Sequence, residues 1–170
     1  MINSLIIFRK LLQKIILKLD LLDAVLSGTN YPGGRLHPLL RGKGYVYMVH
    51  AVHHVGIEKG YFLVYALTTQ EKVAEVKTLI LDQIKDLQTR LVSDDEFNEA
   101  ILQMKYSSKD HVSSLSSLSL VSATDELYGR GYDFHYGMDA KIDQLTKEDV
   151  RDMAKKYLKA PQSYLFVGSE

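Results

Sequence analysis

Residues 33 to 49, Gly33-Gly34-Arg35-Leu36-His37-Pro38-Leu39-Leu40-Arg41-Gly42-Lys43-Gly44-Tyr45-Val46-Tyr47-Met48-Val49, constrain this chain more than any other stretch. Glycines punctuate a short apolar run and then give way to alternating tyrosine and valine. A backbone that leaves helical geometry within two or three residues usually does so through φ > 0, where a Cβ would clash and glycine is free of the penalty. The segment therefore predicts a short helix broken by glycines and followed by a strand. Arg41 falls at the break and Tyr47 just inside the strand. Spacing alone describes a helix-to-strand turn carrying a surface arginine.

The rest of the chain divides around this turn. Gly44 to His54 and Tyr61 to Thr68 are rich in Val and Tyr and are separated by Val55-Gly56-Ile57-Glu58-Lys59-Gly60, so they predict an antiparallel hairpin. Alternation would place Tyr45, Tyr47, Val49 and Ala51 on one face and Val46, Met48 and His50 on the other. Thr68-Thr69-Gln70-Glu71 has the form of a capping box for a helix that carries Val73, Val76, Leu79, Ile80, Ile84 and Leu87 on one face and ends near Arg90. Ser93-Asp94-Asp95-Glu96 caps the next helix, which buries Phe97, Ile101 and Met104. The serine-rich stretch 113–120 keeps Leu115, Leu118 and Val121 at helical spacing and predicts a packed helix. A glycine-rich turn, Tyr128-Gly129-Arg130-Gly131-Tyr132, precedes short helical segments and a closing strand at Phe166-Val167-Gly168. No internal repeat or domain boundary interrupts the pattern. The fold class is α+β, an antiparallel sheet with helices packed on one face.

The N-terminus needs separate treatment. Residues 4 to 19 are apolar and basic, with no acid before Asp20. A transmembrane helix needs roughly 20 nearly uncharged residues, and Lys14 and Lys18 interrupt this run. A secretory leader would place its charges ahead of the apolar stretch rather than inside it. Phe8, Leu11, Leu12, Ile15, Ile16, Leu19, Leu22, Val25 and Leu26 recur every three to four residues, as one face of an amphipathic helix running to Gly28. That face can pack on the domain's own sheet or on a neighbour, and a membrane-surface or import role is the alternative.

Composition narrows the function classes. At 170 residues, 46% hydrophobic and 25% charged, the chain has the makings of one core. Its 21 basic and 21 acidic side chains cancel, which removes the long-range field that draws nucleic acid to a protein. With no cysteine, a disulfide, a thiolate zinc site and a cysteine nucleophile are all excluded, and any metal chemistry would need histidine and carboxylate. His50-Ala51-Val52-His53-His54 is the nearest approach to a metal motif. On a strand, however, His50 and His54 stand about 13 Å apart at ~3.3 Å per residue, whereas both would have to lie about 2 Å from one zinc. His50 and His53 point to opposite faces. Gly129-Arg130-Gly131 lacks the strand-then-helix context of a phosphate loop, and Asp94-Asp95-Glu96 is accounted for by capping and the helix dipole. His37, His111 and His135 are isolated in sequence.

The run Arg35-Leu36 to Leu40-Arg41 with Tyr47 resembles the helix-to-strand turn in the C-terminal domains of insulinase/pitrilysin-type zinc metallopeptidases, S/G-R-L-x-x-x-L-R-x-x-G-x-x-Y. The likeness continues through Gly60-Tyr61-Phe62-Leu63-Val64-Tyr65, Thr68 to Val73, Ser93 to Phe97, Thr146-Lys147-Glu148-Asp149-Val150 with Ala154 and Tyr157-Leu158, and Phe166-Val167-Gly168. It covers residues 21–170 as an insulinase-like C-terminal domain, and leaves 1–20 as an amphipathic N-terminal helix or a truncated domain start where the family has strands.

The resemblance implies the non-catalytic, substrate-binding half of a zinc endopeptidase, completing the chamber of an H-x-x-E-H catalytic domain or subunit that holds the zinc. No cofactor is expected on this chain. Peptide is the implied substrate, and the implied site is Arg41 with Tyr47, a guanidinium and a phenol reaching toward the scissile carbonyl. Many members have seven positions between these two residues. Here they are six apart, as in relatives with R-G-x-G-x-x-Y, so Tyr45 is the fallback. A structural or assembly module with the same fold and no protease role is the alternative function. Self-association through a sheet edge or the first helix is also expected.

Overall fold

The computed structural model describes residues 2–29, 32–55, 60–159 and 163–168. Helix α1 (Ile2–Ser27) packs against α3 (Asp94–Asp110), α6 (Lys147–Tyr157) and strand β1 (Met48–Val55). Its Leu19, Leu21, Leu22, Ala24, Val25 and Leu26 are all buried. These positions surround the helix rather than form a single stripe, because α1 is covered on several sides by its own domain. Burying each such leucine stabilises by roughly 1.5–3 kcal/mol before chain entropy is counted. The apolar face expected at Ile15, Leu19, Leu22, Val25 and Leu26 thus packs within the domain, while Phe8, Leu11 and Leu12 lie outside the described side chains. Lys18 reaches Asp149 on α6 at 2.5 Å. No helix among the described residues is long and apolar enough to cross a membrane.

The hairpin forms as expected, with β1 antiparallel to β2 (Gly60–Leu67) in the register Met48↔Leu67 to Val55↔Gly60. The connecting residues 56–59 fall outside the described residues. Helices cover one face of this two-stranded sheet, where Val49 and Ala51 are fully buried and Phe62, Val64 and Ala66 partly so. Tyr61, Leu63, Tyr65 and Leu67 stand exposed on the other face.

The first strand begins later than the sequence suggests, and its alternation is broken. The Tyr47 amide donates to the Leu67 carbonyl at 2.8 Å, although Leu67 is already the partner of Met48. Two residues of one strand then oppose one of the other, which is the arrangement of a β-bulge. Val46 consequently shares the buried face with Val49 and Ala51, while Tyr47 turns to the open face with Met48. The expected grouping of Tyr47 with Val49 and Ala51 is therefore wrong.

Helix α2 (Val73–Thr89) buries Val76, Ile84 and Leu87 and ends at Arg90 as anticipated. Its expected capping box is absent. The Thr68 hydroxyl donates to the Tyr45 carbonyl at 2.7 Å, and that of Thr69 bonds the Glu71 carboxylate, so a short 3₁₀ turn, Gln70–Lys72, opens the helix without a side-chain cap. In α3 the box does form, with the Ser93 hydroxyl accepting from the Glu96 amide while the Glu96 carboxylate accepts from the Ser93 amide. Thr146 and Asp149 repeat this arrangement at α6.

The serine-rich stretch is helical, as α4 (Leu115–Leu127), but it packs only in part: Leu118 and Val121 are half-buried as the spacing predicts, and Leu115 is not. Leu115, Leu120 and Leu127 are exposed, and Asp125 is its buried residue. Residues 163–168 are not a strand either. A strand exists only with a ladder partner, and here the ring of Tyr164 instead takes the Lys77 ammonium of α2 at 3.7 Å, leaving Leu165 90% exposed. Helix α5 (Met138–Ile142) places the buried Ile142 beneath α3.

Candidate functional site

The end of α1 anchors the glycine turn. The Arg35 amide donates to the Val25 carbonyl at 3.0 Å and the Gly33 amide to that of Ser27, so the last helical carbonyls are satisfied by the chain returning over them. That approach admits only glycine at position 34, where φ is +60° and a Cβ would lie 2.6 Å from the Val25 oxygen. Arg35 then locks the turn to the helices. Its Nε donates to Glu96 Oε1 at 2.6 Å and one terminal nitrogen to Asp86 Oδ2 at 2.7 Å, with the other 3.3 Å from Glu96 Oε2. Burial disfavours this charge, but the two carboxylates outweigh it and raise the Arg35 pKa. Both carboxylates are in turn held below the usual range by Arg35 against their own desolvation. Sequence reasoning assigned Arg35 no role, because the carboxylates that hold it lie 51 and 61 residues away.

From this clamp the chain makes a π-helical turn, His37–Arg41, plugged into the core by Leu36 and Leu40. It is closed by the Gly42 amide on the His37 carbonyl at 2.9 Å and by the Tyr45 amide on that of Leu40 at 2.8 Å. Gly44, at φ +73°, turns the chain into the strand, and Lys72 fastens the Gly44 carbonyl from outside at 2.8 Å. The helix break followed by a strand is as the sequence predicts.

Arg41 and Tyr47 sit at the two ends of this rigid connection, and both are exposed, Tyr47 to 76%. Among the described residues neither the Arg41 guanidinium nor the Tyr47 hydroxyl takes part in a hydrogen bond, an ion pair or a ring contact, and nothing brings the two together directly. Tyr45 differs. It is half-buried against the core, and its phenol bonds the Glu75 carboxylate, which pushes its pKa up.

The histidines are occupied by structural partners. His53 faces α1, with Nε2 3.2 Å from Asp20 Oδ1 and Nδ1 3.9 Å from Asp23 Oδ2, and its ring stacks on Phe62. Burial opposes its charge, but the two aspartates prevail and raise its pKa to about 9. His50 Nδ1 lies 3.3 Å from Ser27 Oγ on the other face, and His54 stacks on Tyr61. Burial first, then the nearby His50 and Arg41, hold His37 below its usual value. A protonated His53 cannot ligate a metal, and among the described residues no three histidine, aspartate or glutamate side chains converge on a metal position. These residues do not fit a zinc site.

One cleft lies beside the turn and another lies away from it, against α1. The first, of about 730 Å³, is lined by Arg35, Lys43, Asp86, Glu96 and Gln103, and its principal charges already neutralise one another. The second, of about 320 Å³, lies between α1, β1 and α3 at Asp20, His50 and His111. Arg41 and Tyr47 line neither of these two clefts, and both are exposed.

The sequence model of the Peptidase M16 inactive domain matches residues 10–104, more than half of the chain. The chain belongs to the Peptidase M16 inactive-domain family. This M16 domain is similar in structure to a protease from Helicobacter pylori, with 16% identity and a TM-score of 0.71 over 86% of this chain and 35% of that one. It also resembles the inactive peptidase domain of a candidate zinc protease from Bordetella parapertussis, with 15% identity and a TM-score of 0.68 over 85% and 76% of the two chains. For the periplasmic protease PqqL from Escherichia coli the values are 19% and 0.63, over 85% of this chain and 16% of that one. No curated protein matches the M16 domain in sequence. The insulinase-type resemblance and the α+β class are thereby established, and the domain is a non-catalytic one of its family.

Proposed function

We propose that this M16 domain forms the substrate-side wall of a zinc endopeptidase, facing an H-x-x-E-H domain that carries the metal, and that Arg41 and Tyr47 donate hydrogen bonds to the peptide being cleaved. One observation carries this reading: a guanidinium and a phenol stand exposed and without partners at the ends of a connection that the Arg35 clamp and the β-bulge hold rigid. Preorganised donors are what a developing oxyanion requires, since they need not reorganise as charge appears, and losing one typically costs roughly 2.7–4 kcal/mol of transition-state stabilisation. The small share of the longer proteases that the domain spans, 16% and 35%, supports a partner domain carried in the same chain or in a companion subunit. Tyr45 serves less well as the donor, because its hydroxyl is engaged with Glu75.

The test is turnover of an unfolded peptide by this domain combined with its catalytic partner. Arg41→Ala and Tyr47→Phe should each lower kcat/KM by roughly ten- to a thousandfold, with circular dichroism unchanged, and Tyr45→Phe should leave turnover near wild type. If the first two variants retain full activity, the domain acts only as a structural module.

A further inference from the structure

The π-helical turn His37–Arg41 buries a side chain that can take a charge and gives that charge no partner. Both ring nitrogens of His37 are closed to solvent, and among the described residues neither takes part in a hydrogen bond. They are closed off by the chain itself, so a further segment packed on the outside does not reach them. The ring meets that of His50 on β1 edge-on, with centroids 6.3 Å apart, and His50 meets Tyr65 of β2 in the same way at 6.2 Å. The charged groups that bear on a proton at His37 are His50 from the strand and Arg41 from its own turn, and both oppose it. Asp23 of α1 serves His50 instead: it accepts from Ser27 Oγ at 3.2 Å, and that oxygen lies 3.3 Å from His50 Nδ1. A charge on His50 thus has a carboxylate behind it, whereas burial first, then His50 and Arg41, hold His37 below the ordinary histidine value.

We propose that His37 fastens the turn that carries Arg41, and that protonation of its ring releases the turn and displaces the guanidinium. A second proton sets two N–H donors where no acceptor stands and adds a cation between His50 and Arg41. The charged ring reaches water only by leaving its seat against His50. Its own backbone moves with it, and the His37 carbonyl is the acceptor of the Gly42 amide, at 2.9 Å, that closes the turn behind Arg41. Leu36 and Leu40 stay plugged in the core, and Arg35 stays clamped to Asp86 and Glu96. The release is therefore confined to the turn between them. Such π-helical turns occur mostly as single turns at functional sites. That acid would withdraw a donor from bound peptide rests on the function proposed above; the movement of the turn does not.

The unfolded chain takes up its His37 proton near pH 6.5 and the folded chain does not, so stability is lost as the pH falls below about 6.5. His53 does not confuse this range, because its contribution is already complete there. NMR of the full chain between pH 7.5 and 5 follows the ring and the amides together. The His37 ring should titrate below 6.5. As it does, the Gly42 amide should exchange about tenfold faster than the same amide in His37→Gln at equal pH. The Tyr45 amide, held by the core residue Leu40, should keep its rate. His37→Asn replaces His37→Gln if the latter folds poorly, and the wild-type titration needs neither. A ring that titrates at or above 6.5 overturns the proposal, and so does a ratio of Gly42 to Tyr45 exchange that stays constant through the titration. With a catalytic partner present, kcat/KM of wild type should fall toward that of Arg41→Ala over the same range, since the partner's own pH dependence is common to both. If Arg41→Ala already matches wild type at pH 7.5, it is the catalytic reading that is lost, and the Gly42 amide alone decides this one.

Discussion

His53 on β1 lies between two aspartates of α1, its Nε2 3.2 Å from Asp20 Oδ1, and that pairing keeps an imidazolium in a site only 11% open to solvent. The folded state holds a proton that the unfolded chain releases near pH 6.5, whereas the folded His53 releases it near 9. Stabilisation from this group is therefore fully present below about 6.5 and disappears as the pH rises through about 9. Asp23 is pushed above its ordinary value mainly by burial, against the lowering pull of His53 and Ser27. His50, the other titratable group near Asp23, sits on the Ser27 side. With Asp20 partly exposed, solvent screening leaves an effect of about 1–2 kcal/mol. Thermal melts at pH 6, 7.5 and 9.5 should show wild type a few degrees above His53→Gln at pH 6, with the gap closing by 9.5. A gap independent of pH would mean that the ring acts by packing on Phe62 alone.

Arg35 joins the glycine turn to α2 and α3 through Asp86 and Glu96. Truncation leaves both carboxylates short of a partner in a half-buried position, although Arg90 still reaches Asp86 and the Ser93 amide still reaches Glu96. Arg35→Ala should lower stability by about 2–3 kcal/mol in urea unfolding. Lysine should recover only part of this, since a point charge cannot serve both acids as the guanidinium fork does. Full rescue by Arg35→Lys would show that charge, rather than fork geometry, holds the turn.

Ser27 is fully buried, and its oxygen accepts the Ala51 amide. Ser27→Ala leaves that amide unsatisfied at a residue with no solvent access, so a loss of about 1–3 kcal/mol is expected. Hydrogen exchange at Ala51 should accelerate with it. A loss below about 0.5 kcal/mol would mean that another acceptor replaces the hydroxyl.

Zinc should not bind this chain stoichiometrically. His53 is committed to Asp20 and Asp23, His50 faces Ser27 from the opposite side of the strand, and His54 is stacked on Tyr61. Metal analysis of chelator-washed, tag-free protein should find well under one zinc per chain. One tightly held zinc, lost in His53→Gln, would refute this.

What the sequence determined by itself are features set by neighbours along the chain. The glycines at 34 and 44 announce the turn because only the local backbone decides φ. The Ser93 box, α2 and the β1–β2 hairpin follow from spacings of a few residues. Position alone marked Arg41 only as a surface arginine at a turn; it was the resemblance to the insulinase-type turn that singled out Arg41 and Tyr47. Only the tertiary structure decided which way Tyr47 points, because the bulge at Leu67 depends on how two strands meet, and one inserted residue reverses every side chain before it. Helix α4 carries leucines at core spacing, yet Leu115, Leu120 and Leu127 stay exposed, and Phe166-Val167 has strand composition but pairs with no strand among the described residues. Periodicity records what an element could bury; whether a partner surface arrives depends on the whole chain. The Arg35 clamp and the His53 pair were invisible for the same reason. Each joins residues dozens of positions apart, and charge at such distances in sequence becomes an interaction only after the backbone has brought it within a few ångströms.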